Sequence, residues 1–365
     1  MLSNIQTLPL HKKTGKEYRN MRKFGLLHRK RIWIVFLLVI VLIILLWLFL
    51  PVSRDVRRRS IVWVECRSCY FLASPGIDTL YFNYYDTSDS SFLGMALDAC
   101  SLEEITRASG FWYQPFWWLN DGRLFTSGNI VPNDSLLTVF KKSPMAFMER
   151  QLEQCRKQVL RIQHEENEYQ YYMRTHSVQD EGYTLVAQHY SKLKLYHDTL
   201  IRLSNKLEMY KRLSSSALQL QRMLHYQVRS VSEKGLDSSF VECSLLKHDV
   251  AYNVALLQTV DGTLPDGASV VTGRPFDVLR MFFNYRPNRS AELVGFNRPA
   301  DFALADSVEP DFIPGKLMIN GKNTTQSFPV LSGIDGAPIF LSNGHLWGIL
   351  ADGKCVHYSY LNKLW

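Results

Sequence analysis

The sequence predicts a mainly β protein, interrupted by one long α-helical block and preceded by a membrane-spanning helix. Three observations predict it. Short apolar runs bounded by turn residues fill 60–143 and return after residue 235. Between them, residues 144–234 repeat apolar side chains at helical three- and four-residue spacing. Near the start, Ile32 to Leu50 are nineteen consecutive residues without a charge.

The apolar run is the clearest element. A helix over 32–50 reaches ~28 Å, close to the ~30 Å hydrocarbon core of a bilayer. Trp33 and Trp47 stand near its ends, where interfacial aromatics sit. The following residues, Pro51-Val52-Ser53-Arg54, offer no small-residue cleavage site, so an uncleaved signal anchor is expected. Residues 1–31 form a basic tail with nine Lys/Arg and one acid, Glu17. That tail accounts for the whole net charge of +8, and the remaining chain is balanced. It favours a cytoplasmic N-terminus over the weaker opposing group Arg54, Arg57, Arg58 and Arg59. A neutral body gives no basic face for nucleic acid.

In 60–143, Ile61–Val64, Thr79–Phe82, Ser109–Tyr113 and Arg123–Thr126 are strand-like, with Asp121-Gly122 as a turn. Trp112, Trp117 and Trp118 favour a core role over a ligand platform. In 144–234, Met145, Met148, Leu152, Cys155, Val159 and Ile162 mark a first helix. Val186, Leu193, Leu200 and Leu207 recur every seven residues in a second, with His189, Tyr196, Leu203 and Tyr210 at the other seam position. The pattern extends less regularly through Leu220, Leu224 and Val228. Two helices with a short connector predict an antiparallel coiled-coil hairpin. It either packs only on itself or leaves a stripe for a partner protein. Residues 235–365 complete the β body.

Of six cysteines, Cys66 and Cys69 form a lone Cys-x-x-Cys. No second ligand pair has zinc spacing, so no metal site and no cofactor is expected. Disulfides and free thiols both remain open for Cys66, Cys69, Cys100, Cys243 and Cys355. Asn133, Asn288 and Asn323 begin glycosylation sequons.

The stretch Gly333-Ile334-Asp335-Gly336-Ala337-Pro338, followed by an apolar strand, Asn343-Gly344 and Gly348-Ile349, resembles the nucleophile loop of trypsin-like serine proteases. Two further segments follow the same family in the same chain order. Ala108-Ser109-Gly110-Phe111 with Arg123 to Val131 resembles the histidine-bearing segment of HtrA-like bacterial members, and Lys247 to Gln258 resembles the aspartate-bearing one. The resemblance implies two six-stranded antiparallel β-barrels, with the helical hairpin inserted in the first. It also implies that the triad positions fall on Asn129, Asn253 and Asp335. Amides at the base and orienting positions supply neither a proton acceptor nor a charge. The oxyanion-hole N–H groups would be those of Gly333 and Asp335, and the Asp335 carboxylate would fill them itself. His248-Asp249 is no substitute dyad, because neighbours on a strand point to opposite faces.

The expectation is therefore a single-pass pseudoprotease of the bacterial inner membrane with a periplasmic body. It would act as a binding or scaffold module, through the hairpin or through peptide strand addition in the old groove. The alternative is a hydrolase of altered chemistry with Asp335 as nucleophile.

Overall fold

The computed structural model describes residues 33, 35–42, 51–74, 76–86, 91–98, 104–115, 119, 121–132, 135–233, 235–273, 288–297, 309–320, 323–329 and 333–365. The chain divides into two units: Met1–Val52 with Arg274–Asn284, and Ser53–Gly273 with Tyr285–Trp365. In the first unit, residues 33 and 35–42 are helical and exposed. The basic tail and most of the expected 32–50 span lie outside the described residues. Among the described residues no helix is long and apolar enough to cross a membrane.

The second unit opens with helix α1 (Arg54–Arg59), then strands β1 (Ile61–Ser74), β2 (Ile77–Asp86), β3 (Ser91–Ala96), β4 (Glu104–Gln114) and β5 (Arg123–Ser127). Helices α2 (Ser135–Lys142), α3 (Pro144–Thr175) and α4 (Tyr183–Lys211) follow. Then come β6 (Gln219–Ser232), β7 (Gly235–Leu236), β8 (Val241–Asp249), β9 (Val254–Thr259) and β10 (Val271–Thr272). The second barrel holds β11 (Asn288–Gly295), β12 (Asp311–Asn320), β13 (Asn323–Gln326), β14 (Pro338–Leu341), β15 (Leu346–Ala351) and β16 (Lys354–His357), and α5 (Tyr358–Leu364) ends the fold.

Strand β1 explains the first barrel. It pairs with β4 on one side and β6 on the other, closing the circuit β1-β4-β5-β9-β8-β6. Val62, Val64 and Cys66 point into the barrel, and Ile61 and Trp63 point towards the second barrel. Both faces of the strand are buried, so Ile61-Val62-Trp63-Val64 is continuously apolar rather than alternating. The second barrel is the six-stranded sheet β13-β12-β11-β14-β15-β16, curled until β13 lies beside β16. Two six-stranded antiparallel barrels fit the trypsin-like architecture. An aromatic core joins them, with Trp63 edge-on to Phe296 at 5.2 Å. Trp112 lies wholly inside the first barrel, while Trp117 and Trp118 lie outside the described residues.

Beyond Ser68, β1 leaves the barrel wall and continues as a projecting sheet with β2, β3 and the first half of β6. The antiparallel pair α3 and α4 packs on that sheet. Phe147, Met148, Leu152, Leu203 and Leu207 bury Tyr70, Leu72, Leu80 and Phe82. The Tyr210 hydroxyl donates to the carbonyls of Leu72 (2.9 Å) and Asp78 (3.0 Å).

Three expectations need correction. The helical block ends at Lys211, not 234, because residues 219–232 form barrel strand β6. The helix is capped at Arg212, and Gln219, Leu220 and Gln221 alternate exposed and buried. The segment 60–143 is not purely β, since α2 lies within it. The second seam position is wrong in the outer half of the hairpin. Tyr196 is 50% exposed there, and the seam is instead polar, with Gln170 bonded to Tyr190 (2.7 Å) and Glu166 to His197 (2.9 Å). Cys66 and Cys69, three apart on one strand, point to opposite faces and cannot bridge each other. Cys66, Cys155, Cys243 and Cys355 are thiols, and burial pushes Cys66, Cys243 and Cys355 up to about 12. Cys100 lies outside the described residues.

Candidate functional site

Three turns converge where the barrels meet. The first follows β5. Ser127 accepts the Asn129 N–H (3.2 Å) and starts a single 3-10 turn over Gly128–Ile130. Glycine fits at 128 because a Cβ would lie 2.8 Å from the Asn253 backbone carbon, besides crowding Asn253 Oδ1 and His248 Nε2. The second turn links β8 to β9 and ends on Asn253 at φ 53, a left-handed conformation that asparagine tolerates. The Gly128 N–H donates to the Asn253 carbonyl at 2.6 Å and ties these two turns together.

The third turn precedes β14. Gly333 and Gly336 adopt φ +94 and +88. A Cβ on Gly336 would lie 2.1 Å from the Ser109 carbonyl oxygen, so the loop can press against β4 only with glycine there. The Ser109 N–H donates to the Asp335 carbonyl (3.0 Å), and the Ser109 hydroxyl donates to the Gly333 carbonyl (2.8 Å). That hydroxyl also accepts the Phe296 N–H at 3.0 Å.

These turns bring Asn129, Asn253 and Asp335 together in one chain of hydrogen bonds. Asn253 Nδ2 donates to Asn129 Oδ1 at 2.9 Å. Asn129 Nδ2 donates to Asp335 Oδ2 at 2.8 Å. The Ser127 hydroxyl donates to the same oxygen, and the Asp352 N–H donates to Asp335 Oδ1 at 2.7 Å. Asn129 is exposed, and Asn253 and Asp335 are half-buried, so the cluster borders solvent. The Asp335 carboxylate is not turned onto the N–H groups of Gly333 and Asp335, as the sequence suggests. Its donors are Ser127, Asn129 and, from the β15–β16 turn, the Asp352 N–H.

His248 and Asp249 point apart, as the strand period requires. The buried Nε2 of His248 has no hydrogen-bond partner and abuts Gly128. Asp249 accepts the Tyr360 hydroxyl and the Tyr252 N–H (3.0 Å), and these bonds hold its carboxyl below the usual carboxylate range. Among the described residues no group of His, Cys, Asp or Glu could hold a metal ion.

Ser109, Ser127 and Asp352 belong to the site, and sequence reasoning missed their roles. The Asp352-Gly353 pair is a legible turn signal, but nothing in it shows which side its N–H faces.

No protein-family model and no curated protein matches the chain. Among solved structures, the crystal structure of Deg5 overlaps 85% of this chain and 88% of its own, at 10% identity and a TM-score of 0.37. So loose an overlap assigns no family.

Proposed function

We propose that the chain is a membrane-anchored, trypsin-like pseudoprotease of the bacterial inner membrane, a binding or scaffold module that does not hydrolyse peptides. The environment of Asp335 is the observation that supports this most. At the position where the resemblance expects a nucleophile stands a carboxylate with both oxygens engaged by three donors. Around it are two amides, which take no proton at neutral pH. A carboxylate so engaged is also a poor nucleophile, which weighs against the hydrolase alternative. The uncharged run 32–50 and the basic tail support anchoring with the N-terminus inside and the body in the periplasm. The outer half of the hairpin supports a protein partner, since Leu160, Leu195 and Tyr196 are exposed there.

The test uses the full chain in detergent micelles. It should neither react with a serine-directed fluorophosphonate nor turn over peptide and ester libraries. Turnover that disappears in Asp335→Asn would overturn the proposal in favour of the hydrolase. The combined reversion Asn129→His, Asn253→Asp and Asp335→Ser should gain fluorophosphonate labelling if the triad assignment is right.

A further inference from the structure

We propose that Asn253, Asn129 and Asp335 form a one-way hydrogen-bonded staple fastening the first barrel to the second, with the three side-chain types set by the direction of its bonds. The chain runs from donor to acceptor without a break: Asn253 Nδ2 to Asn129 Oδ1, then Asn129 Nδ2 to Asp335 Oδ2. The middle member must accept on one side and donate on the other, which a side-chain amide does. The last member only accepts. It takes Asn129 and Ser127 from the first barrel and the Asp352 N–H from the second. A carboxylate has lone pairs for all three, spread over two oxygens, whereas a serine hydroxyl has two lone pairs on a single oxygen. An aspartate at 253 would set two acceptors face to face.

The backbone holds the members in register. Gly128 N–H bonds the Asn253 carbonyl, and Ser109 N–H on β4 bonds the Asp335 carbonyl. The three differences from a hydrolytic triad are then one coupled change rather than three separate losses. The staple does not depend on whether the chain hydrolyses anything.

A double-mutant cycle tests it: full chain, Asn129→Ala, Asp335→Ala and the double variant, unfolded in urea and followed by tryptophan fluorescence. Each single variant should lower the folding equilibrium constant about 10-fold, as for a hydrogen bond to a charged group at a half-exposed site. The double variant should fall little further, giving a coupling of about 10-fold. Asp335→Asn keeps the volume but turns an NH2 group towards a donor, so it should be at least as damaging as Asp335→Ala. Amide hydrogen exchange at Asp352 should also quicken in Asn129→Ala, although that variant retains Asp335. Additive single effects, a neutral Asp335→Asn or unchanged exchange at Asp352 would overturn the staple. Hydrolysis assays on the wild type are unaffected by that result, so the two proposals fail separately.

Discussion

Gly336 and Gly353 both adopt positive φ, at +88 and +70, yet they face different neighbours. A Cβ on Gly353 meets nothing within 4 Å, while one on Gly336 meets the Ser109 carbonyl oxygen and the Ser127 nitrogen, at 2.1 and 2.6 Å. Gly353→Ala should therefore cost only left-handed strain, about 1 kcal/mol. Gly336→Ala adds an overlap that two backbones must move to relieve, and should cost at least about 3 kcal/mol. Urea midpoints of the two variants check the order. The same contrast shows what was legible at this scale. The Gly-x-Asp-Gly-x-Pro pattern marks the tight loop and puts Asp335 on its crest. Hydrogen-bond direction is a property of facing surfaces, so the donors from Ser127 and Asp352 cannot be read from either segment alone.

Strand β1 carries a charge where the barrel wall turns into the projecting sheet. Glu65 is 2% exposed, and Arg107, Arg67 and Gln227 bond its carboxylate from the neighbouring strands and from β1 itself. Burial alone would raise its pKa, but the bonds from Arg107, Gln227 and Arg67 outweigh it and hold the carboxyl below the ordinary glutamate value. A lowered folded-state pKa means the unfolded chain binds the proton more tightly. The stabilisation is then complete above the unfolded value of about 4.3 and is lost as pH falls through the folded value. Glu65→Gln should destabilise the protein by about 1.5–3 kcal/mol at pH 7, because it removes the charged acceptor that Arg107, Gln227 and Arg67 share. The gap between wild type and variant should narrow below about pH 4. Denaturant titrations at several pH values check this.

At the same scale, the strands flanking the helices were the harder part of the sequence. Helices α3 and α4 show themselves by long periodicity, but β6 follows directly and carries Leu220, Leu224 and Val228 at a spacing that also suits a helix. Strand pairing with β1 decides the matter, and that partner lies about 150 residues away in the chain. The outer hairpin misled for a different reason. A heptad assumes an apolar seam throughout, whereas here the outer half of the seam holds the polar pairs Gln170–Tyr190 and Glu166–His197.

Across the body from Ser53 to Trp365, the two barrels share one aromatic core, and α1 clasps both. Arg57 on α1 pairs with Glu292 of the second barrel at 2.6 Å, while the Arg59 carbonyl accepts the Ser269 N–H from the segment joining the barrels. Ser109 and Asp335 bond across the same seam. The barrels should therefore unfold together. Tryptophan fluorescence and far-UV circular dichroism should give coincident urea transitions, and two separated midpoints would show independently stable barrels. The architecture as a whole was legible because three loop motifs kept their chain order. The projecting sheet was not, because β1 and β2 read as ordinary strands until it is known where the barrel stops.

That shared strand has a mechanical consequence. Fourteen residues of β1 run without interruption from the barrel wall into the sheet beneath the helices. The 32-residue α3, about 48 Å long at 1.5 Å per residue, is thus mounted on a continuous spar rather than on a flexible stalk. A molecule that gripped its far end would hold the barrel at a fixed bearing and distance, as a bracket holds a shelf.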